Sequence, residues 1–559
     1  MLPRIAAKSS SALPATPMSQ VVSASVADLA AAPSHSKSGL DEERLLICAW
    51  FVVLGLAWWR FAAISGSRTF QYDEWNFVLN RWRFEIESFL RPHNSHLSLL
   101  PAVVFFVLFR TVGLDNYGVY QAAGYLTHFT VATLLLHLAM RRVGIRAALP
   151  VATAFLLLGS AAENSLWPFQ IGSMASLAGF LLALTALDRD DHRSPGLLAI
   201  GLCVSLASAG FGIVAVAGVA LEAALRRRAR EYAAAVLVPA SLWFLWFLSY
   251  GTSEMQRENI SRVPEYLHES YAGAVAALVR APLAWGFVVA WLLLVALLIA
   301  VIRQPQYHLR VVTLAATIAA YWVLTALSRA QHWAPLSGRY VYLAAPILLL
   351  LLVELASLVD RRTAAAGLLV FAAWSVTSTW EAMSAHARWL REWGDSVGME
   401  LRVLDSRLDV APGNYRPDSL RAPDIYADSY RAAIDGLSSS PAFDDAGSTA
   451  ASRAARADAD RVLYELGAIT IETAEAAIVC EPGTESAGEL LLRSGSQLVM
   501  LTTGPAEIGL RALGDEPLPA TRVQAPGDRA MRVTVDARLP EEQWRLMLLS
   551  ADARACFGS

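Results

Sequence analysis

The run PGLLAIGLCVSLASAGFGIVAVAGVALEAAL, residues 195–225, decides how this chain is threaded. A helix crossing a bilayer needs about 20 apolar residues. Pro195–Leu225 is too long for one crossing and short for two, and Ala209-Gly210-Phe211-Gly212 interrupts it. The flanking charges choose between the two readings. Arginine-rich loops stay on the cytoplasmic side. Read as a two-legged hairpin, the run places Asp188 to Arg193 before it and Arg226-Arg227-Arg228-Ala229-Arg230 after it on the same side. Read as one helix, it splits these clusters between sides.

Working outward, the other apolar runs are Leu45–Ile64, Tyr117–Met140, Ala147–Gly159, Phe169–Leu187, Tyr232–Tyr250, Leu283–Ile302, Val311–Leu327, Val341–Val359 and Ala364–Met383. Ala147–Gly159 is short, and Ser160 to Ala162 extend it. Leu97–Leu108 contains Pro101 and is bounded by His96 and Arg110, so it reads as interfacial. The turns Arg141 to Arg146, Arg303 to Arg310 and Asp360-Arg361-Arg362 then join the two clusters above on one side. The fold class expected is an α-helical polytopic membrane protein of about 11 transmembrane helices in the cytoplasmic (inner) membrane, with the N-terminus cytoplasmic.

Composition agrees. Of the 559 residues, 55% are hydrophobic and 17% charged, against about 25% charged in soluble domains. Mean hydropathy is +0.41. A net charge of −3 gives no reason to expect a nucleic-acid partner. Lysine occurs only at Lys8 and Lys37, so arginine carries the positive charge. Residues 1–40 are rich in Ser, Ala and Pro and read as a disordered cytoplasmic tail. No cleavable signal peptide is evident, and the first span serves as an uncleaved anchor. Residues 41–385 form the transmembrane domain. Residues 386–559, richer in Asp, Arg, Pro and Ser, form an extracytoplasmic α+β domain, with helices at Tyr430–Leu437 and Ala451–Leu466 and strands at Glu489–Thr502, Arg529–Asp536 and Gln543–Leu549. Cys48 and Cys203 lie in apolar runs and read as buried thiols. The sequence leaves open whether Cys480 and Cys556 pair.

This threading gathers the chemistry-bearing residues on the outer face. The long first loop, 65–116, carries Gln71-Tyr72-Asp73-Glu74-Trp75-Asn76 and then Arg91-Pro92-His93-Asn94-Ser95-His96. An isolated Asp-Glu pair marks a solvated loop. Here it follows a span and is surrounded by aromatic residues, as in helices lying in the headgroup layer. The next short external turn holds Glu163, a third carboxylate. Gly251 to Pro282 forms a longer outer loop. Ser328 to Tyr342 contains Arg329, Arg339 and Tyr340. Arginines at the outer surface run against the inward bias and suit a phosphate group.

The order and sidedness of these motifs resemble the GT-C glycosyltransferases, in particular the protein O-mannosyltransferase and aminoarabinose-transferase-like branch. The resemblance covers roughly residues 45–385 and rests on Asp73-Glu74, on Pro92-His93 with the helix from Leu97, and on Arg339-Tyr340. It implies an enzyme that inverts the anomeric centre of a polyprenyl-phosphate-linked sugar and transfers it to a cell-envelope glycan, lipid or protein. Membrane lipid is then a further partner. Asp73 is the expected base. Glu74, and Glu163 with it, would be a supporting acid or a metal ligand. His93, Asn94 and His96 would position substrate, with Arg329, Arg339 and Tyr340 around the donor phosphate. A divalent cation, magnesium or manganese, is left open, with Asp73 and Glu163 as candidate ligands. Many relatives carry a lysine at the outer turn of the hairpin. Here that turn, Ser208-Ala209-Gly210-Phe211-Gly212, has no basic residue. Two other classes stay open: a non-catalytic scaffold of envelope assembly, and a transporter or flippase, for which ionisable residues inside spans would speak. His128 and His137 are the residues to watch.

Overall fold

The 195–225 run is two helices, Ser194–Leu206 and Phe211–Leu225. They are joined through a turn so tight that a Cβ at Gly212 would lie 2.6 Å from backbone atoms of Ser205 and Leu206. Beyond the hairpin the chain returns to its starting end: Arg226 pairs with both Asp188 and Glu222, at 2.7 and 2.5 Å.

The computed structural model describes residues 37–66, 68–189, 191–303, 308–441, 452–474, 489–502, 504–517, 519–526, 529–537, 544–550 and 554–558. Cys480, Asp444-Asp445 and the tail up to residue 36 lie outside the described residues. The chain divides into two units, Met1–Val52 and Val53–Ser559. The first contributes the opening turns of α1 (Lys37–Ser65). Four short helices follow in the first long loop or near it: α2 (Asp73–Asn80), α3 (Ile86–Leu90), α4 (Leu99–Thr111) and, further on, α7 (Ala162–Leu166). The long helical elements are α5 (Tyr117–Val143), α6 (Ile145–Leu156), α8 (Ile171–Leu187), α9 and α10 (the hairpin legs), α11 (Ala229–Tyr250), α12 (Val263–Ala277), α13 (Leu283–Arg303), α14 (His308–Arg329), α15 (Gly338–Ala356) and α16 (Arg361–Ser406).

Eight described helices are long and apolar enough to cross a membrane, or nine if α6 is joined across its 46° bend to Gly159–Leu166. These helices are compatible with a polytopic helical class. The eleven crossings expected from sequence require α6, α9 and α10, each shorter than an ordinary span. Small residues let the hairpin approach its neighbour. A Cβ at Gly179 of α8 would lie 2.3 Å from the Gly201 carbonyl of α9, and Ser176 Oγ donates to Ser205 O at 2.9 Å. Such small-residue seams are how helices associate where lipid removes the hydrophobic drive. Cys48 and Cys203 are free and exposed on the helix surface, not buried as expected.

The helix ends sort into two groups. Arg142 at the end of α5 pairs with Glu354 at the end of α15. Arg310 at the start of α14 pairs with Glu222 of α10 and with Asp188. The opposite ends of these helices carry Tyr117, Gly210, Arg329 and Arg339, the neighbourhood of the acidic motif.

Helix α16 runs 46 residues without a break, ~69 Å at 1.5 Å per residue, more than twice a hydrocarbon layer of about 30 Å. Its N-cap Asp360 accepts from Arg362 N and Thr363 N at 3.0 Å. Residue 386, where the composition changes, falls inside this helix. Beyond it lie α17 (Ala427–Leu437), α18 (Arg453–Glu465) and eight strands: β1 (Ile469–Thr473), β2 (Glu489–Leu492), β3 (Gln497–Thr502), β4 (Ala506–Arg511), β5 (Arg522–Ala525), β6 (Met531–Val535), β7 (Trp544–Leu548) and β8 (Ala555–Gly558). They form two antiparallel sheets, ordered β1-β6-β3-β8 and β2-β7-β4-β5. All connections except β4–β5 change sheets, in the manner of a jelly roll. The single strand expected over Glu489–Thr502 is two strands in different sheets, because Gly495 turns the chain at φ 74°. Cys556 is disulfide-bonded. Arg407 at the end of α16 pairs with Asp536 at 2.6 Å, and Arg461 of α18 pairs with buried Glu400 of α16 at 2.7 Å. These pairs fix the β region to the long helix.

Candidate active site

The acidic motif is a tight turn opening a helix. Glu74 N donates to Gln71 O at 3.0 Å, and Tyr72 sits at φ 43°, ψ −118°. This is the first central position of a type II′ turn, where glycine is usual. A tyrosine held there stores strain of order 1–3 kcal/mol. The turn is clamped on several sides. Trp75, fully buried, donates from Nε1 to Phe70 O at 2.9 Å. Gln71 Nε2 donates to Leu390 O of α16 at 2.7 Å. A Cβ at Gly394 would come within 2.7 Å of the Gln71 side chain, so the C-terminal half of α16 lies directly against the motif.

The two carboxylates have different surroundings. Glu74 is completely buried. It accepts from Gln71 N at 2.9 Å and from the Tyr117 hydroxyl at 3.0 and 3.1 Å. Burial pushes it up to about 7, against the lowering by those donors. It faces the protein interior and anchors the turn. Asp73 is half-buried and faces outward. Desolvation raises it to about 6. Arg339 opposes that rise, Asp424 adds to it, and Arg329 and a hydrogen bond to the Asn94 side chain lower it.

Asn94 arrives on a two-residue hairpin. His93 and His96 exchange both backbone hydrogen bonds at 3.0 Å. Asn94 and Ser95 lie at φ 47° and 63°, the type I′ conformation that asparagine tolerates well. His93 is turned inward, packed on Phe77 and Phe169, with Nδ1 3.3 Å from Asn76 Oδ1. Burial first, and then Arg81 and His96, lower it to about 3, so it is neutral. His96 is open to solvent but walled by protein. Desolvation, with Arg329 acting in the same sense and Glu254 against it, lowers its pKa. The hairpin turn between α9 and α10 presses on this ring: a Cβ at Gly210 would lie 2.7 Å from His96. Backbone and imidazole thus meet at the turn of this hairpin, which has no basic residue.

The arginines complete the outer wall. Arg339 opens α15 and pairs through Nε with Glu163 Oε1 at 3.0 Å. Its backbone N–H donates to Glu163 Oε2 at 3.2 Å. Arg329 pairs with Glu254 at 2.5 Å. Both guanidinium groups remain partly exposed, 49% and 34%. Tyr340 lies in the field of Arg339, Arg329, Glu163 and Glu254. The structure therefore brings together Asp73, Asn94, His96, Glu163, Arg329, Arg339 and Tyr340. It places Glu74 and His93 behind them, as buried supports.

Four contributors were not identified from sequence: Tyr117, Asn76, Glu254 and Asp424. Asp424 belongs to the region after α16, which showed no chemical signature, and Asn76 Nδ2 reaches its Oδ2 at 3.4 Å. Nothing local marks it. In the same region Asp458 and Asp460 are both engaged. Asp460 is buried and accepts from Leu513 N and Gly514 N, and Asp458 pairs with Arg421.

As for a metal, no group of three or more His, Cys, Asp or Glu among the described residues is placed to hold one. Asp73 is ringed by arginines and an amide, and Glu163 is taken up by Arg339. The two candidates do not form a ligand set. His128, the ionisable group deepest in a span, is satisfied on both nitrogens, by the Tyr342 hydroxyl at 2.7 Å and Leu156 O at 3.0 Å.

Compared with protein-family models, with curated proteins and with solved structures, the chain matches none.

Proposed function

We propose that this chain is an integral-membrane glycosyltransferase of eleven crossings. It would take a sugar from a polyprenyl-phosphate donor at the outer face of the cytoplasmic membrane and place it on a cell-envelope acceptor. The observation that carries the reading is Asp73: a half-buried carboxylate, raised to about 6, in the combined field of Arg329 and Arg339. A base works best when its pKa lies near the operating pH. The arginines supply charge where a departing phosphate becomes more negative.

The reaction balances on these groups. Asp73 takes the proton of an acceptor hydroxyl as that oxygen bonds to the anomeric carbon from one face. The bond from that carbon to the phosphate oxygen breaks on the other face, and its electron pair leaves with the phosphate. Arg329 and Arg339 stabilise that charge, and the centre inverts. Glu163 positions the Arg339 guanidinium through its Nε edge. Asn94 holds the Asp73 carboxylate. Glu74, Tyr117 and Gln71 fix the turn that presents Asp73. A transporter reading finds less support, since His128 is fully engaged in helix packing.

The test is transfer from a labelled polyprenyl-phosphate sugar pool into envelope material, comparing wild type with Asp73→Asn at equal membrane expression. Loss of transfer in the variant is expected. Equal transfer would remove Asp73 from the chemistry.

A further inference from the structure

A ladder of aromatic rings climbs the outer half of α16 and ends on the acidic motif. His386, Trp389 and Trp393 share one helix face at spacings of three and four residues. Ring centroids are 5.3 Å apart for His386–Trp389 and 5.0 Å for Trp389–Trp393. The next ring is Tyr72, 6.5 Å from Trp393 and adjacent in sequence to Asp73. Trp389 and Tyr72 are open, 46% and 43% exposed, while Trp393 and His386 are half-buried. The neighbouring face of the same helix, at Leu390 and Gly394, is packed on Gln71.

The ladder climbs out of the lipid, with Trp389 at ~41 Å from Asp360 along a helix tilted by ~20°, in the headgroup layer, and Trp393 above it. From the N-cap Asp360 to Trp393 is 33 residues, about 50 Å along the axis at 1.5 Å each, or ~47 Å at a typical tilt of ~20°. A bilayer with its headgroups is about 40–45 Å thick. Trp374 and Trp380, lower on the helix, fall at ~20 and ~28 Å on the same tilted axis, within the hydrocarbon and below the usual interfacial belt. Trp380 carries Arg60 over its ring at 4.3 Å. Trp393 lies beyond that belt, among Arg391, Glu392 and Asp395. Hydrocarbon has no reason to lie there. Saccharide does, because the C–H face of a sugar ring covers an aromatic face while its hydroxyls reach the surrounding charges. Rigid aromatic side chains also give large contact area at small entropic cost.

We infer that Trp389, Trp393 and Tyr72 form a subsite for the saccharide acceptor, guiding a glycan chain along α16 so that its terminal hydroxyl meets Asp73. The inference rests on the transferase reading. It also explains the strained Tyr72: the II′ turn aims this ring outward while the next residue presents its carboxylate to the reaction.

The test is binding, so that it does not depend on transfer. Full-length protein in lipid nanodiscs is titrated calorimetrically with oligosaccharides released by partial acid hydrolysis of delipidated cell-wall polysaccharide. Wild type and Asp73→Asn bind alike. Trp389→Ala with Trp393→Ala, and separately Tyr72→Ala, weaken binding at least tenfold. Trp380→Ala leaves it unchanged, and Trp389→Phe with Trp393→Phe restores most of it. Equal binding by the double alanine variant, or no binding by wild type, overturns the subsite. Transfer that survives Asp73→Asn, with ladder-dependent binding intact, removes the transferase mechanism but not the glycan site.

Discussion

The two ends of the helical bundle use the same residue types for opposite purposes. At one end Asp188, Glu222, Arg226 and Arg310 form a closed knot. Glu222 Oε1 alone receives Arg226 and Arg310, and the side chains of Glu222 and Arg310 are 0% and 5% exposed. Their remaining donors go to helix-terminal carbonyls, as in Arg226 Nη1 to Leu187 O and Arg310 Nη2 to Leu184 O. At the other end Arg329 and Arg339 each hold one carboxylate and stay partly open to water. Beside them Asp73 has the field of both arginines and an amide for a partner. A buried knot of paired charges fixes helices. A half-exposed set with capacity to spare can receive a charged substrate. Arginine count alone does not separate the two; enclosure does.

The comparison can be broken by exchanging the roles. Removing one partner of a buried charge network costs roughly 3–5 kcal/mol, so Arg310→Gln is expected to unfold in detergent far below the wild-type melting temperature. Arg339→Gln, at an exposed pair, should move stability by no more than about 1 kcal/mol while lowering transfer ~10²–10³-fold. If the two variants melt alike, the contrast between the ends fails.

A second variant tests the strained turn. Tyr72→Gly relieves strain of order 1–3 kcal/mol and adds about 0.5–1 kcal/mol of chain entropy cost, a net gain of roughly 1 kcal/mol. Its melting temperature should rise although it loses oligosaccharide binding. A fall in both would mean that the Tyr72 ring, not its backbone, holds the turn.

The smallest expected effects are in pH. Only the carboxylate form of Asp73 accepts a proton, so transfer should climb as pH rises through about 6. Asp424→Asn removes a like charge and moves that limb to lower pH. Arg339→Gln removes an opposite charge and moves it to higher pH. Glu74 behaves differently. Its folded pKa lies above the unfolded value, so its burial favours the fold at low pH, and that contribution is lost as pH rises through about 7. Glu74→Gln keeps an acceptor for Tyr117 and should flatten this loss in a melting series. A series unchanged by the substitution would contradict the buried-anchor role.

Much of this was legible because it is local. Hydropathy located the long helices, and the break at Ala209–Gly212 gave the hairpin. The arginine clusters at Arg141 to Arg146 and Arg226 to Arg230 fall at one end of the bundle, as the charge rule required. Asp73, Glu163, Arg329 and Arg339, placed by sequence in loops of one side, lie near one another. The burial of Glu74 was not legible, because adjacent residues in a first helical turn point about 100° apart, so one carboxylate faces out and the other in. Asp424 reaches Asn76 across 348 residues, a contact with no local trace. The turn at Tyr72 was hidden because tyrosine is not a residue that announces a positive φ. The division of Glu489–Thr502 was, by contrast, readable in Arg493-Ser494-Gly495-Ser496, a turn signal inside an apolar run.

The most direct measurement is sugar transfer by Asp73→Asn in membranes where its level equals that of wild type. General-base catalysis contributes typically 10²–10⁴-fold, and the account predicts a loss of at least ~10²-fold with the pH limb near 6 abolished. Transfer at the wild-type rate, with that limb unchanged, would contradict it.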